Sequence, residues 1–181
     1  MFIQTEDTPN PATVKFLPGH TVMPSGTAEF RTSAEAEKSP LARRLFSIGG
    51  VESVFFGRDF VSVTKNGTRE WLLLKPHVLG ALMEHFMTGL PAVEGVQAER
   101  AADDLHDPIV RQIRELIETR VRPAVARDGG DITFVRFEDG IVYLKMQGAC
   151  VGCPSSTVTL KSGIENMMKH YVPEVLRVEE A

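Results

Sequence analysis

The sequence predicts an α+β protein: two small α/β layer domains joined by an acidic linker, the C-terminal one running α-β-β-α-β. Length is the first indication, because 181 residues suit two small domains as readily as one generous one. Charge is the second. Residues 1–90 carry nine basic and nine acidic side chains and residues 108–181 carry ten of each, whereas residues 91–107 set Arg100 against five acids, so the net charge of −4 sits in that stretch. A short self-repelling run between two neutral segments reads as a solvated linker. The third is that runs of strand period and helix period both occur on each side of it. The expected division is 1–90, a linker over 91–106, and 107–181.

In the first segment, Phe2–Thr5 and Thr13–Leu17 read as strands around the turn-forming Thr8-Pro9-Asn10-Pro11. Ser39 followed by Pro40 marks a capped helix start, and Gly49-Gly50 ends that helix near Ser47. Val51–Phe56 and Phe60–Thr64 predict a hairpin across Gly57-Arg58-Asp59, followed by an Asn66-Gly67 turn. A helix is expected from Pro76 to about Met87, with Val78, Leu79, Leu82, Met83 and Phe86 inward and Gly89 beyond its end. His77 and His85, eight apart, lack the four-residue spacing of a zinc-binding helix, so both are expected to be ordinary surface or interface histidines. No grouping of catalytic residue types occurs in this segment.

The second segment opens with Asp107 as cap and Pro108 as first helical residue. Ile109, Val110, Ile113, Leu116, Ile117 and Val121 form an apolar stripe opposite Arg111, Arg114, Glu115 and Glu118. Pro123 is expected to kink or end this helix, although Ala124 and Val125 continue its pattern up to Asp128-Gly129-Gly130-Asp131. Ile132–Phe137 and Ile141–Gln147 are strands joined by Asp139-Gly140, a strong hairpin signal. Thr157–Tyr171 reads as a helix with Leu160, Ile164, Met167, Met168 and Tyr171 inward, and Glu174–Val178 as a last short strand.

Composition excludes several classes. A net charge of −4 without a basic patch argues against a nucleic-acid binder. The most apolar window, Trp71–Met87, is interrupted by Lys75, Pro76, His77, Glu84 and His85, so no membrane span is expected. The first residues resemble neither a secretory signal nor an Arg-rich transit peptide, and a cytoplasmic location is expected. Thiols stay reduced there, so a C-x-x-C pair points to metal binding or redox chemistry rather than to a structural disulfide.

The only two cysteines are Cys150 and Cys153, within Gly148-Ala-Cys-Val-Gly-Cys-Pro-Ser-Ser156. Two thiolates at this spacing reach one metal centre, yet tetrahedral zinc and iron-sulfur clusters usually take four protein ligands. One chain therefore supplies half a site. The loop joins a strand to a helix, with Pro154 near the helix start and Ser155 or Ser156 as the expected cap; helix N-termini favour thiolate over thiol. Gly148, Ala149 and Gly152 predict an uncovered loop that another object can approach closely. An identical loop across a two-fold axis would complete a four-cysteine set, and separating the copies would release the cargo.

Three alternatives stay open. A Cys2His2 zinc site lacks the needed histidine pair, because His106 and His170 lie far apart and His20, His77 and His85 fall in the other segment. A thiol-disulfide oxidoreductase using the Cys150/Cys153 couple is the rival functional class, although only 28 residues follow Cys153, too few for the rest of a thioredoxin-type fold. Two incidental buried cysteines are the third.

Asp128–Asp131 with Met146–Ser156 resembles the C-terminal domain of NifU-type iron-sulfur scaffold proteins. Thr5–Gly19 and Lys75–Phe86 resemble the N-terminal domain of Nfu proteins, so the likeness covers nearly the whole chain. It implies a scaffold or carrier, not an enzyme, with Cys150 and Cys153 as ligands of a 4Fe-4S cluster, 2Fe-2S being the other form. The cluster would be shared across a homodimer formed on binding. Upstream cluster-assembly proteins and apo iron-sulfur clients are the implied partners, with the N-terminal domain aiding client recognition.

Overall fold

The computed structural model describes residues 2–95, 107–151 and 154–181, with the backbone alone at 154–157. Its chain divides into two compact units, Met1–Ala98 and Glu99–Ala181. Both mix helix with sheet, as the sequence predicts.

The first unit is a five-stranded antiparallel sheet in the order β1-β2-β5-β4-β3, built from β1 (Gln4–Asp7), β2 (Thr13–Leu17), β3 (Ala28–Phe30), β4 (Val51–Phe56) and β5 (Val61–Lys65). Strand alternation sends Val14, Phe16, Val54, Phe56, Val61 and Val63 to one face, where they meet Leu41 and Leu45 of α1 (Pro40–Phe46) and Leu74, Val78 and Leu82 of α2 (Trp71–Thr88). Ser39 caps α1 as expected, accepting from the Ala42 N–H at 2.9 Å. Its hydroxyl also donates to the Ala92 carbonyl, and the Glu94 N–H donates to the Lys38 carbonyl at 2.8 Å. These bonds fasten residues 92–94 to the first unit. The rest of the acidic stretch, 96–106, lies outside the described residues.

Strand β3 and a 3-10 turn at Glu35–Lys38 were not expected, since their sequences carry too few apolar residues to show a period. Helix α2 begins five residues before the predicted Pro76. Leu74 is fully buried and Trp71 packs on the same core, so tertiary burial extends the helix through a proline whose unmatched Leu72 lies in solvent. The buried face is Leu74, Val78, Ala81, Leu82 and His85; Met83, expected inward, projects from the opposite side and is exposed.

His85 is likewise not at the surface. It is 1% exposed, its ring edge meets Phe86 and its Nε2 has no hydrogen-bond partner among the described residues. Burial, helped by nearby Arg44, lowers its pKa below the ordinary value, against a smaller raising effect from a hydrogen bond with the Leu90 backbone. The unfolded chain therefore takes up a proton near pH 6.5 while the folded chain resists until a lower pH. Stability contributed by neutral His85 is complete above that range and is lost as pH falls through it. Urea unfolding followed through Trp71 should give a lower midpoint at pH 5.5 than at pH 7.5, with the difference reduced in His85→Met.

The second unit opens with α3 (Pro108–Leu116), where Asp107 accepts from the Ile109 N–H at 2.8 Å. It continues through a π turn at Ile117–Val121 into α4 (Arg122–Arg127). Pro123 does not end the helical run, because the wide turn lets the Arg122 N–H bond to the Ile117 carbonyl just before the proline that cannot donate. Ile113, Leu116, Ile117, Val121 and Val125 thus stay on one buried face.

Strands β6 (Gly130–Glu138) and β7 (Ile141–Gly148) form the expected hairpin, with Asp139 and Gly140 both at positive φ (51° and 77°) as a type I′ turn needs. A bulge between Phe134 and Arg136 adds Val135, so Phe134 and Phe137 both reach the core although three residues apart. Helix α5 (Pro154–Tyr171) crosses to β8 (Arg177–Glu180), which pairs parallel to β7. Ile164 and Met168 are buried on α5. Tyr171, expected inward, is 40% exposed: the Arg120 guanidinium lies 4.9 Å from its ring, and Gln112 donates to its carbonyl. Strand β8 starts later than predicted because Val175 turns back to bond the Val172 carbonyl and Leu176 bonds the Gly140 carbonyl. Among the described residues no helix is long and apolar enough to cross a membrane.

Candidate functional site

The site is built where the end of β7, the start of β6 and the N-terminus of α5 meet in sequence and register. Gly148 closes β7 with φ 65°, a left-handed turn that directs the chain off the sheet, and the Val151 N–H donates to its carbonyl at 3.1 Å. The Ala149 N–H donates to the Gly129 carbonyl at 3.2 Å, tying the cysteine loop to the Asp128–Asp131 segment. Helix α5 begins at Pro154, so Ser155 and Ser156 lie inside its first turn and neither is the cap expected from the sequence.

Cys150 is at the β7–α5 junction, as predicted. It is not uncovered: the residue is 6% exposed and belongs to the buried apolar core of the second unit, of which Ile132, Met146 and Ile164 are also members. Gly130 supplies the reason, since the position its Cβ would take is held by the Cys150 sulfur. Cys153 lies outside the described residues. Among those described, no three His, Cys, Asp or Glu side chains gather in a metal-holding group. Cys150 itself fits a soft metal such as cluster iron, being a thiol beside a helix N-terminus.

Behind the loop is an ion-pair network. Asp131 is 4% exposed and takes a two-pronged pair from Arg122, Nε to Oδ1 at 2.8 Å and Nη2 to Oδ2 at 2.8 Å. The third prong of the same guanidinium meets Glu118 at 2.8 and 3.0 Å, and Asp131 also accepts from the Ile132 N–H at 2.8 Å. Hydrogen bonding to Asp131 holds the Arg122 guanidinium above its ordinary pKa, outweighing its partial desolvation, so Arg122 stays charged. The Asp-Gly-Gly-Asp motif thus divides its work. Asp128 and Gly129 (φ 79°) end α4 through bonds to the Val125 and Ala126 carbonyls, Gly130 leaves room for sulfur, and Asp131 anchors the strand.

Sequence reasoning noted this motif and missed the roles of Arg122, Gly130 and Asp131. A buried aspartate nine residues after an arginine leaves no periodic signal. The paired glycines, 130 opposite 148 in register, were the available hint of a close approach.

Residues 3–89 match the family described as scaffold protein Nfu/NifU N terminal, and residues 113–179 match the NifU-like domain. The chain belongs to the Nfu/NifU family of iron-sulfur cluster scaffold proteins, as its motifs suggested. It is 53% identical over 182 residues to the NFU1 iron-sulfur cluster scaffold homolog, mitochondrial, of Homo sapiens, covering 99% of this chain and 72% of that protein. Identity to the protein of the same name in Drosophila persimilis is 49% over 183 residues, and the chain spans 65% of that relative's length. The solution NMR structure of a NifU-like protein from Saccharomyces cerevisiae superposes with a TM-score of 0.48 at 26% identity, over 53% of this chain and 87% of that one.

Proposed function

We propose that this protein carries a 4Fe-4S cluster as cargo, held by Cys150 and Cys153 of one copy and the same pair of a second copy, and passes it to apo-proteins. The carrying observation is a scaffold-family chain whose only two thiols form a C-x-x-C pair, half a cluster's ligand set, with Cys150 at a strand–helix junction. A half-set per chain makes dimerisation part of loading and makes separation or ligand exchange the route of release. The work is binding and transfer, with no catalytic turnover of a client. We assign cluster binding to residues 107–181 and client recognition to residues 1–90, with the acidic stretch 91–106 as their connection.

The dithiol couple is the weaker reading, because the family this chain belongs to is one of iron-sulfur cluster scaffolds. Either chemistry needs reduced thiols, which the cytoplasm supplies. The human relative is named as mitochondrial, which is the competing assignment, and fractionation of the source cells decides between them.

Anaerobic reconstitution should yield about four iron and four sulfide per dimer, and Cys150→Ser or Cys153→Ser should lose the bound iron. Sedimentation with and without iron and sulfide should show the dimer forming on loading. Full loading of the doubly substituted chain would overturn the reading; two iron per dimer would replace the 4Fe-4S form by 2Fe-2S.

A further inference from the structure

Glycine at position 130 needs an explanation of its own. Its neighbour Gly129 has φ 79° and its cross-strand partner Gly148 has φ 65°, both in the left-handed region, but Gly130 is not among the positive-φ glycines. An alanine backbone is therefore allowed there. What glycine supplies is space, because an added Cβ would meet the Cys150 sulfur, with the Gln147 carbonyl oxygen 2.9 Å away and the Cys150 amide nitrogen 3.1 Å away.

This space is fixed on every side that the bonding describes. The Asp131–Arg122 pair and the Asp131–Ile132 bond hold the strand just after it. The Ala149–Gly129 and Val151–Gly148 bonds hold the residues flanking Cys150. Cys150 is itself a member of the buried apolar core of this unit. A cluster shared between two chains, as proposed above, would need the Cys150 sulfur to reach a second chain, which its 6% exposure does not allow in the position seen here.

We propose that Gly130 is a seat for the Cys150 sulfur: the unloaded protein holds this thiol inside the second unit, and loading and release require Cys150 to leave and regain the seat. The seat stands on the packing alone, whereas its part in release rests on the carrier function proposed above. Gly130 is then a positioning residue that competes with iron for one ligand. When a recipient's thiolate replaces Cys150 on iron, one Fe–S bond forms and one breaks without change of oxidation state. The departing thiolate takes one proton from solvent and reseats as the thiol. A seat that favours the withdrawn ligand pulls exchange toward release.

Two measurements test this. In Cys153→Ser protein without cluster, Cys150 is the sole thiol, and iodoacetamide should modify it at least about 100-fold more slowly than in urea-unfolded chain. Adding Gly130→Ala should speed modification by about tenfold or more, beyond the change that the lower urea midpoint of this overpacked variant accounts for. Parent modification close to the unfolded rate overturns the seat even if the glycine variant fails to fold; an unchanged rate in a folded variant overturns it too. In the cluster-loaded chain with both cysteines present, Gly130→Ala should release iron to excess dithiothreitol about threefold or more slowly than the parent, where a purely structural glycine predicts faster loss. Equal or faster release overturns the role in transfer. A parent chain that never loads removes the carrier reading, and the role in transfer with it, while the thiol measurement still decides the seat.

Discussion

Arg122→Ala should destabilise the second unit by about 3–5 kcal/mol, because removing one partner of a buried pair leaves the other charge without compensation. Asp131 is 4% exposed and both of its oxygens accept from Arg122, so the truncation removes the two-pronged countercharge of a buried carboxylate. The Arg122 side chain is itself 26% exposed, which lets some water reach the gap and favours the lower half of that range. Glu118 loses its partner as well, but it sits in solvent and contributes little. Arg122→Lys should recover part of the loss, since an ammonium keeps the charge and cannot form the two-pronged contact. Urea unfolding followed by tyrosine emission reads this unit, because Tyr143 and Tyr171 are the only tyrosines and both lie within it. A change below about 1 kcal/mol, the usual worth of an exposed pair, would show that Asp131 is hydrated rather than buried.

Leu82→Ala should cost the first unit about 3 kcal/mol, the transfer free energy of the lost atoms plus the cavity they leave. Leu82 is fully buried with Val78, Leu41, Leu45 and Phe16, between two helices and the sheet, where collapse around a small side chain is hindered. The single tryptophan, Trp71, belongs to this unit and packs against the same core. Its emission should therefore report a lower urea midpoint while the tyrosine transition of the second unit stays in place. Cluster loading should survive the substitution, because the proposed ligands are in the second unit; loss of loading in folded Leu82→Ala protein would tell against that division of labour.

The legible parts of this fold were those governed by local chemistry. Ser39-Pro40 and Asp107-Pro108 were recognisable as helix starts because a side-chain acceptor and a pre-set φ act within a few residues. Asp139-Gly140 was recognisable as a turn because both residues must adopt positive φ. Position 76 misled for the complementary reason: proline is a good local start signal, and only the docking of Leu74 and Trp71 onto the core carries α2 past it. Pro123 was expected to kink or end its helix, and the Arg122 to Ile117 bond of the π turn is what lets the helical run continue through it. His85 and Tyr171 exchanged their expected environments, since an approximate helical stripe does not say where its edge falls.

By itself the sequence determined the family, the α+β class and the chemistry on offer, two thiols spaced for one metal centre, because motif, turn and cap signals depend on residues close together in the chain. Only the tertiary structure decided that Cys150 points into the core over Gly130 and that Arg122 and Asp131 brace the strand beneath it. Those contacts join residues brought together by the β6–β7 register and by the turn of α4 onto β6. Burial and pairing at such a distance depend on the packed fold as a whole, so no local pattern encodes them.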